Sequence, residues 1–368
     1  MRIGKLEITQ NLESRNDKTL GIQTYSYSND YPQKVINIVG ASCTGSSCYS
    51  NYRKFIIGQG FADKTVYQKK INRKRQTLDY ILEQTASDLA MFGGFALHIN
   101  YNANFKISEI QHIPFEHIRF EKMDDDGNFS RVAIHTDWAK QFTSLRKWDK
   151  KQIEFIDFYN PNPEEIAEQV ESVGGWNKYK GQVYYFSNKG DKVYPLPVFA
   201  QALTDMNTEE AISDIVNRNA TKNFFPAGML IDRKNKSQSD EQSNEIESSL
   251  IQFQGSKNAS KIMYIEVGSD EEKPEFVPFR SANYDKEFTV SREAARDNIG
   301  RSFNQPPILR SEDVGANFGA DLMTNAYNYY NSITKNERTI LERVFSELLL
   351  MWWQPFEAEL TIVPAIYE

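Results

Sequence analysis

Hydrophobic positions recur with a helical period ahead of a glycine pair in the first third of the chain. The apolar residues of segment 76–92 lie on one helical face: Leu78, Leu82, Leu89 and Phe92. Gly93-Gly94 follows directly and predicts the helix end, because glycine readily adopts the left-handed conformation that such ends favour. The pattern therefore predicts an amphipathic helix that stops at residue 93.

The period then changes to two. Alternate apolar side chains predict a half-buried strand: Phe95, Leu97, Ile99 and Tyr101. Further strands are predicted at 105–110, 117–122, 130–136, 153–159, 182–187 and 191–196, with turn signals such as DDDGN and NKGD between them. The apolar run VINIV (35–39) predicts one more strand in the poorly patterned N-terminal region. Together these segments indicate an antiparallel sheet.

A helical pattern returns over residues 197–222, but its apolar stripe is thin. The stripe consists of Phe199, Leu203, Met206, Ile212, Ile215 and Val216. Polar residues occupy most of the remaining circumference. We therefore expect that this helix is not a core element of a monomer and that it needs neighbours or water on several sides.

Residues 224–279 predict a strand, a polar helix and a second strand. An insert of this size cannot bury a large core alone, so it is expected to rely on adjacent subunits. The next helix is predicted at 283–303, where Phe288, Ala295 and Ile299 share a face with its last residue, Phe303.

Pro306-Pro307 must break the chain where that helix ends, because proline lacks the N–H and clashes inside a helix. Gly315 and Gly319 make the following stretch deformable. Residues 321–353 then carry the strongest helical pattern in the chain, and FEAELTIVPAIY (356–367) alternates like a strand.

Composition is that of an ordinary globular protein, with 40% hydrophobic and 25% charged residues among 368. The 43 Lys and Arg residues against 50 Asp and Glu residues give a net charge of −7, which argues against sequence-independent phosphate clamping. The start has no apolar signal segment, and no apolar stretch approaches the about 20 residues that a membrane helix requires. A chain folded in a reducing cytosol, with no membrane contact, is expected.

One stretch resembles a phosphate-binding loop. GASCTGSS (40–47) follows the predicted strand VINIV, and Asp157 ends an apolar run as a second nucleotide-site motif would. The phosphate-binding lysine is missing, however, because Ser46 occupies its position. A P-loop-like nucleotide-binding enzyme that uses this loop, within residues 35–60, is therefore the alternative hypothesis.

Metal chemistry finds little support in the sequence. Cys43 and Cys48 lack a second cysteine pair and are predicted to be free thiols in a mobile loop. Asp124 begins an acidic turn, but the twelfth position, where a calcium loop has Glu, holds His135. The four histidines, His98, His112, His117 and His135, are interpreted as ordinary residues of the sheet surface. No metal and no cofactor are predicted.

The order of these elements resembles the HK97-type portal proteins of tailed bacteriophages, from about residue 76 to 353. FNQPPILR (303–310) and GANFGADL (315–322) correspond to the proline element and the tunnel loop, and MFGGFALHINY to a wing strand. The Gly-Val that usually precedes the two prolines in this family is Asn304-Gln305 here.

The resemblance implies an α+β portal fold with a mixed wing, a helical stem, a small α/β clip and a long C-terminal wing helix, assembled as a ring. Its implied segments are the N-terminal wing (1–196), first stem helix (197–223), clip (224–279), second stem helix running back into the wing (280–303), tunnel loop (304–320) and C-terminal wing helix and strand (321–368), with a short or absent crown.

The resemblance also implies a function and partners. A dodecameric ring at one capsid vertex would pass double-stranded DNA during packaging and ejection, and would contact the terminase large subunit, a head-tail adaptor and the major capsid protein. No catalysis is expected. Its location would be the virion, and the host cytoplasm during assembly. A different ring-forming head-tail connector remains a further alternative.

Two groups of site residues follow from the resemblance. Those expected to face DNA in the tunnel are Asn304, Gln305, Arg310, Ser311 and Asn317. Those expected to dock the terminase or adaptor from the clip are Lys234, Lys236, Glu245 and Glu247.

Overall fold

The computed structural model describes residues 14–67, 69–124, 128–138, 150–189, 193–222, 228–231, 275–278, 284–310, 320–354 and 360–367. Its helices are α1 (Tyr31–Ala41), α2 (Cys43–Ile57), α3 (Lys64–Tyr67), α4 (Leu78–Phe92), α5 (Pro163–Ser172), α6 (Leu203–Lys222), α7 (Tyr284–Ser302), α8 (Ala320–Ile333) and α9 (Lys335–Leu350). Its strands are β1 (Asn16–Asp17), β2 (Ile22–Gln23), β3 (Gly94–Tyr101), β4 (Ile107–Ile113), β5 (Ile118–Glu121), β6 (Arg131–Ile134), β7 (Glu154–Phe158), β8 (Gln182–Ser187), β9 (Gly228–Ile231) and β10 (Glu275–Pro278). The predicted α+β class is confirmed.

The chain divides into two compact units. One comprises Met1–Met206 with Asp297–Glu368, and the other comprises Asn207–Arg296. Both division points fall inside helices, α6 and α7, so each of these helices contributes residues to both units. Within the smaller unit, β9 pairs antiparallel with β10, and Arg296 lies 3.7 Å from the carboxylate of Glu209.

The larger unit is built on an eight-stranded sheet of order β1-β2-β5-β6-β7-β8-β3-β4. The predicted antiparallel arrangement is wrong for one pair, because β7 and β8 run parallel. Helix α5, which was not predicted, connects these two strands and carries the chain back before β8 begins. The strand predicted at 191–196 is also wrong, since the described part, 193–196, forms a bend and irregular backbone.

The predicted helix and strand around Gly93 are confirmed. The Thr77 side chain accepts a hydrogen bond from the amide of Tyr80 at the start of α4, and Gly93 ends the helix with φ of +77°. In β3, Phe95, Leu97 and Ile99 are fully buried. Ala96 on the opposite face is buried as well, so packed side chains cover both faces of the sheet here.

The predicted strand VINIV is helical instead. Pro32 occupies the first turn of α1, and Val35, Ile38 and Val39 are buried along this helix. Their spacing of three and four residues fits one helical face as well as a short strand. Apolar runs of this length do not distinguish the two, and the proline was the signal that favoured a helix.

A buried arginine holds the N-terminal segment against the sheet. Arg119 of β5 is 1% exposed and donates hydrogen bonds to the side-chain and main-chain oxygens of Asn29, at 2.5 and 2.7 Å. Burial lowers the pKa of Arg119 to about 10. The Tyr25 ring stacks on the Tyr194 ring at 4.0 Å between centroids. These contacts join residues far apart in sequence, which explains why the N-terminal region shows no regular pattern.

The first turns of α6 are part of the core. Leu203 and Met206 are almost fully buried, and Phe199 ahead of the helix is fully buried, so the expectation of a helix outside any monomeric core is wrong for this part. Ile215 and Val216 further along are 39% and 44% exposed. The thin apolar stripe is therefore covered within this chain at its start and open at these two positions.

The predicted long C-terminal helix is divided into α8 and α9 at Thr334. Its buried hydroxyl donates to the Tyr330 carbonyl at 3.0 Å and accepts from the Arg338 guanidinium at 2.7 Å. Such hydroxyl bonds to the preceding turn compete with the helical ladder. The strand predicted at the C-terminus is also wrong for its described residues, 360–367, where Ile362 forms only an isolated bridge to Phe61.

Strand β4 is an edge of the sheet, and other segments cover it. The amide of Ile107 donates to the Met351 carbonyl at 2.8 Å, and the Ile107 carbonyl accepts from the amide of Trp353 at 3.0 Å. Further along, the amide of Ile110 donates to the Ile71 carbonyl at 3.1 Å. The opposite edge is the two-residue strand β1. Both edges therefore offer little free main chain.

Candidate functional site at the Pro-Pro turn

The Pro-Pro turn, residues 303–310, begins with a helix cap. Asn304 has a left-handed backbone with φ of +50°, and its amide donates to the Arg301 carbonyl at 3.0 Å. The amide of Gln305 reaches back to the Gly300 carbonyl, also at 3.0 Å. This pair of bonds is the Schellman motif, which satisfies carbonyls at a helix end. The proline at 306 then prevents the helix from continuing.

The second half of the turn is a short 3-10 helix, Pro307–Arg310. The amide of Leu309 donates to the Pro306 carbonyl at 3.0 Å. Both prolines thus stand where the chain needs no helical N–H donor. The double proline therefore fixes the geometry of a compact connector as well as ending α7.

Aromatic packing anchors the start of the turn in the core. The Phe303 ring stacks on the Phe199 ring, with 4.7 Å between centroids and 21° between planes. It also meets the Tyr52 ring edge-on at 5.9 Å. Phe303 is 1% exposed and Ile308 is 6% exposed. Buried apolar side chains near both ends of the turn therefore anchor it within the larger unit.

Two polar side chains from distant parts of the sequence hold the main chain of the turn. The Asn51 amide on α2 donates to the Leu309 carbonyl at 2.9 Å, and the Tyr330 hydroxyl on α8 donates to the Phe303 carbonyl at 3.1 Å. Burial raises the pKa of Tyr330 well above its ordinary value, so the hydroxyl keeps its proton and remains a donor. The turn is therefore tethered to α2 and to α8.

The side chain of Arg310 folds back onto α7. Gly300 is buried, and a Cβ at this position would overlap the Nη1 and Cζ atoms of the Arg310 guanidinium. It would also lie 2.8 Å from Nε. Gly300 therefore provides the space that the guanidinium fills.

The structure places the predicted tunnel residues differently from one another. Asn304 is exposed, and Arg310 is half-buried against α7. Gln305 is only 4% exposed, so its side chain is buried within this chain, whereas the prediction had it facing a tunnel. The reason is the cap, which turns residue 305 back toward the last turn of α7. Ser311 and Asn317 lie outside the described residues.

The predicted clip residues also lie outside the described residues: Lys234, Lys236, Glu245 and Glu247. Of the predicted clip segment, 224–279, the structure describes the paired strands β9 and β10.

The alternative phosphate-binding loop is wrong. Residues 40–47 form the end of α1 and the start of α2, where the Ser42 hydroxyl accepts from the amide of Gly45 at 2.9 Å and caps the helix. Gly45 lies inside α2, and a Cβ there would sit 2.9 Å from the sulfur of Met206. Close packing of α2 against α6, and not phosphate binding, accounts for this glycine. The shallow depression beside it is lined by small residues, none of them charged.

The histidines lie in the sheet region, where His117 and His135 are neighbours, since the amide of His135 donates to the His117 carbonyl at 3.0 Å. His98 Nε2 lies 2.5 Å from the Lys180 carbonyl, and His112 Nε2 lies 2.6 Å from the Asp88 carboxylate. His135 is 5% exposed, so the interpretation as a surface residue is wrong for it. Among the described residues, no three His, Cys, Asp or Glu side chains converge as a metal site would require.

Neither Cys43 nor Cys48 forms a disulfide, as predicted, but both lie on α2 and not in a loop. Cys43 is exposed at the helix start, whereas Cys48 is 1% exposed in the core. In the described part of the chain, no helix is long and apolar enough to cross a membrane.

Sequence reasoning missed several residues that shape the site. Asn51 and Tyr330 lie far from the Pro-Pro turn in sequence, and no local pattern relates them to it. The signal at Asn304 was readable, because asparagine just after a helix is a common left-handed cap.

This fold is similar to the folds of chains in gene transfer agent particles. A chain in the virion of a native gene transfer agent particle matches at a TM-score of 0.53 and 14% identity, over 90% of this chain and 83% of that chain. A chain in the neck of the empty particle matches at a TM-score of 0.51 and 14% identity, over 90% and 84%. An HK97 family phage portal protein from Corynebacterium diphtheriae matches over 86% of both chains at 12% identity, with a TM-score of 0.37 that is too low to support an argument.

No family model matches the sequence, and no curated protein matches it. The class that the fold defines is thus an α+β chain whose fold is similar to that of chains in gene transfer agent particles. In particular, it has the fold of a chain in the neck of such a particle.

Proposed function

We propose that this chain is a portal subunit, a structural protein that forms a ring at one vertex of a capsid. The observation that carries the proposal is the fold likeness to a neck chain over nine-tenths of this sequence, with a TM-score above one half. The arrangement of α7, Pro-Pro turn and α8 supports it, because this is the order in which the HK97-type portals place their tunnel loop. The chain acts as a conduit and not as an enzyme.

The ring is dodecameric and admits double-stranded DNA during packaging and ejection. It binds the terminase large subunit while DNA enters, then a head-tail adaptor, and it contacts the major capsid protein around its rim. The protein resides in the virion, after assembly in the host cytoplasm. The net charge of −7 supports passage over retention, because an acidic chain attracts phosphates weakly.

The segments predicted from the sequence describe the proposed subunit. Residues 1–196 and 321–368 form the wing, 197–223 and 280–303 the stem, 224–279 the clip and 304–320 the tunnel loop. Asn304, which is exposed, faces the tunnel together with Ser311 and Asn317. The clip residues dock the terminase or adaptor: Lys234, Lys236, Glu245 and Glu247.

The first test is the assembly state of the purified full-length chain. Negative-stain microscopy is expected to show rings with a central channel, and a compact monomer would contradict the proposal. The second test uses a variant with residues 311–319 deleted. It is expected to form the same rings but to package or retain less DNA. The Pro-Pro turn keeps its tethers in that variant, so the loss would be specific to the loop.

A different ring-forming connector is the second candidate, favoured by the match to a chain in the neck of a particle. The two roles differ in the stage of particle assembly at which the protein is needed. Particles made without a portal subunit contain no packaged DNA, whereas particles made without a later connector are filled and then leak DNA or lack a tail. Measuring encapsidated DNA in particles made without this chain separates the two roles.

A further inference from the structure

Arg310 was expected to contact DNA, yet its guanidinium lies over the backbone of α7. A Cβ on Gly300 would overlap two atoms of that guanidinium, so the contact exists only because residue 300 has no side chain. Glycine in a helix is unfavourable compared with alanine, and its presence usually has a packing or conformational reason. Gly300 has an ordinary helical backbone within α7, which leaves packing as the reason.

The space beside Gly300 that the Arg310 guanidinium fills is called the Gly300 socket. It lies within the cap that starts the Pro-Pro turn. The Gly300 carbonyl accepts the amide of Gln305 at 3.0 Å, and this bond closes the Schellman motif. In such motifs apolar side chains at these two positions frequently touch each other. Here one of them is glycine, and the guanidinium of a residue at the far end of the turn occupies the space instead. The side chain at the end of the turn therefore packs against the helix cap at its beginning.

A second tether acts on the same end of the turn. The Asn51 side chain on α2 holds the Leu309 carbonyl at 2.9 Å, one residue before Arg310. The main chain at 309 is thus fixed to α2, and the side chain at 310 is fixed to α7. Two tethers from two helices define where the chain leaves the Pro-Pro turn.

We propose that Arg310 is a positioning residue, whose guanidinium occupies the Gly300 socket and, with Asn51, sets the direction of the chain as it leaves the Pro-Pro turn. The proposal rests on the proposed portal function, in which the tunnel loop follows this point. It assigns Arg310 an effect on DNA passage through the shape of the turn, and not through contact with phosphate.

The first experiment is a double-mutant cycle of Gly300→Ala and Arg310→Ala in the full-length chain, followed by urea unfolding. Gly300→Ala alone should lower the unfolding midpoint, because the methyl group displaces the guanidinium. In the Arg310→Ala background the same change should raise the midpoint, since the socket is then empty and alanine favours the helix. A change of the same sign in both backgrounds overturns the proposal.

The cycle also remains informative if Gly300→Ala fails to fold. A double variant that folds would then identify Arg310 as the group that the methyl displaces. If the double variant also fails to fold, the clash lies elsewhere and the proposal is wrong.

The second experiment measures encapsidated DNA in particles made with Arg310→Lys or Arg310→Ala. Lysine keeps the positive charge, but its compact ammonium cannot cover the flat surface of Gly300 as a guanidinium does. A positioning role predicts that both variants lose DNA to the same extent. A phosphate contact predicts that Arg310→Lys keeps the wild-type level, and this result would overturn the proposal.

Failure of the inference and failure of the portal function are distinguishable. If the wild-type chain forms no rings, the portal function fails, while the unfolding cycle still decides whether Arg310 occupies the Gly300 socket. If rings form and DNA is packaged, but the cycle shows no change of sign, only the inference about Arg310 fails.

Discussion

The left-handed backbone of Asn304 allows its role as a helix cap to be tested separately from a DNA contact. Its φ of +50° is a conformation that costs an L-residue with a Cβ about 1–2 kcal/mol, less for asparagine and nothing for glycine. We consider Asn304→Gly, Asn304→Ala and Asn304→Val. All three remove the polar side chain, but only glycine keeps the conformation without strain.

The expected magnitudes follow from that backbone. Asn304→Ala should lower the free energy of unfolding by about 1 kcal/mol, a factor of about five in the folding equilibrium. Asn304→Val should cost more, because a β-branched side chain tolerates positive φ least. Asn304→Gly should stay within about 0.5 kcal/mol of wild type, since the relief of strain offsets the greater freedom of the unfolded glycine.

The assay is urea unfolding of the full-length chain followed by tryptophan fluorescence, at two protein concentrations so that assembly linkage is visible. Equal stability of the alanine and glycine variants would refute the role of Asn304 as a left-handed cap. Encapsidated DNA is measured on the same variants. If the side chain faces DNA, Asn304→Gly should package less DNA than wild type at equal stability.

Three further predictions test the core, the glycines and the pH response. Phe303→Ala should lower the free energy of unfolding by about 3–5 kcal/mol because the ring is 1% exposed, with Phe303→Leu costing less; a loss below about 1 kcal/mol would contradict the packing. Gly58→Ala should lower the free energy of unfolding by about 1–3 kcal/mol, since φ is +56° and the Cβ would overlap the Val363 carbonyl. The control Gly40→Ala, with open space around residue 40, should be neutral or stabilising by up to about 1 kcal/mol. Equal changes in the two variants would contradict the role of the backbone at Gly58. Burial lowers the pKa of His98 and His117 in the folded state. In the unfolded state these histidines have the ordinary pKa of about 6.5, so the unfolded state binds more protons than the folded state as the pH falls through this value, and stability should fall from pH 7.5 to 5.5. The double variant with Gln at both positions should show a flatter dependence in the same denaturation assay, and an unchanged slope would exclude these residues as the cause.

The parts of the fold that sequence predicted share strong local signals. Helix α4 has a sustained apolar period and ends at Gly93, and helix α7 keeps Ala295 and Ile299 on its buried face as predicted. Helix α5 was missed although its signal was present, because Asn162 caps the helix and Pro163 opens it. Its apolar face is narrow, since Ile166 and Val170 are its buried residues, so the hydrophobic period alone gave little indication of a helix.

The errors arose where long-range contacts decide local structure. The division of the C-terminal helix at Thr334 depends on Arg338, which also donates to the Phe55 carbonyl at 2.8 Å. The same limit applies to the Pro-Pro turn, whose existence was predicted from two prolines. The inward direction of Gln305 depends on the folded cap, and the tether from Asn51 crosses most of the chain, so neither was visible in the sequence.

The covered edge of β4 constrains how copies of this protein can join. Main-chain bonds from Met351 and Trp353 occupy Ile107, and Ile71 occupies the amide of Ile110, so a neighbouring molecule finds few free donors or acceptors along that strand. Association by extending one continuous sheet from copy to copy is therefore disfavoured. In the proposed ring, contacts between copies are therefore expected to use other surfaces, so that assembly can stop at a closed number of subunits. The covered edge also protects the unassembled chain from fibrous aggregation.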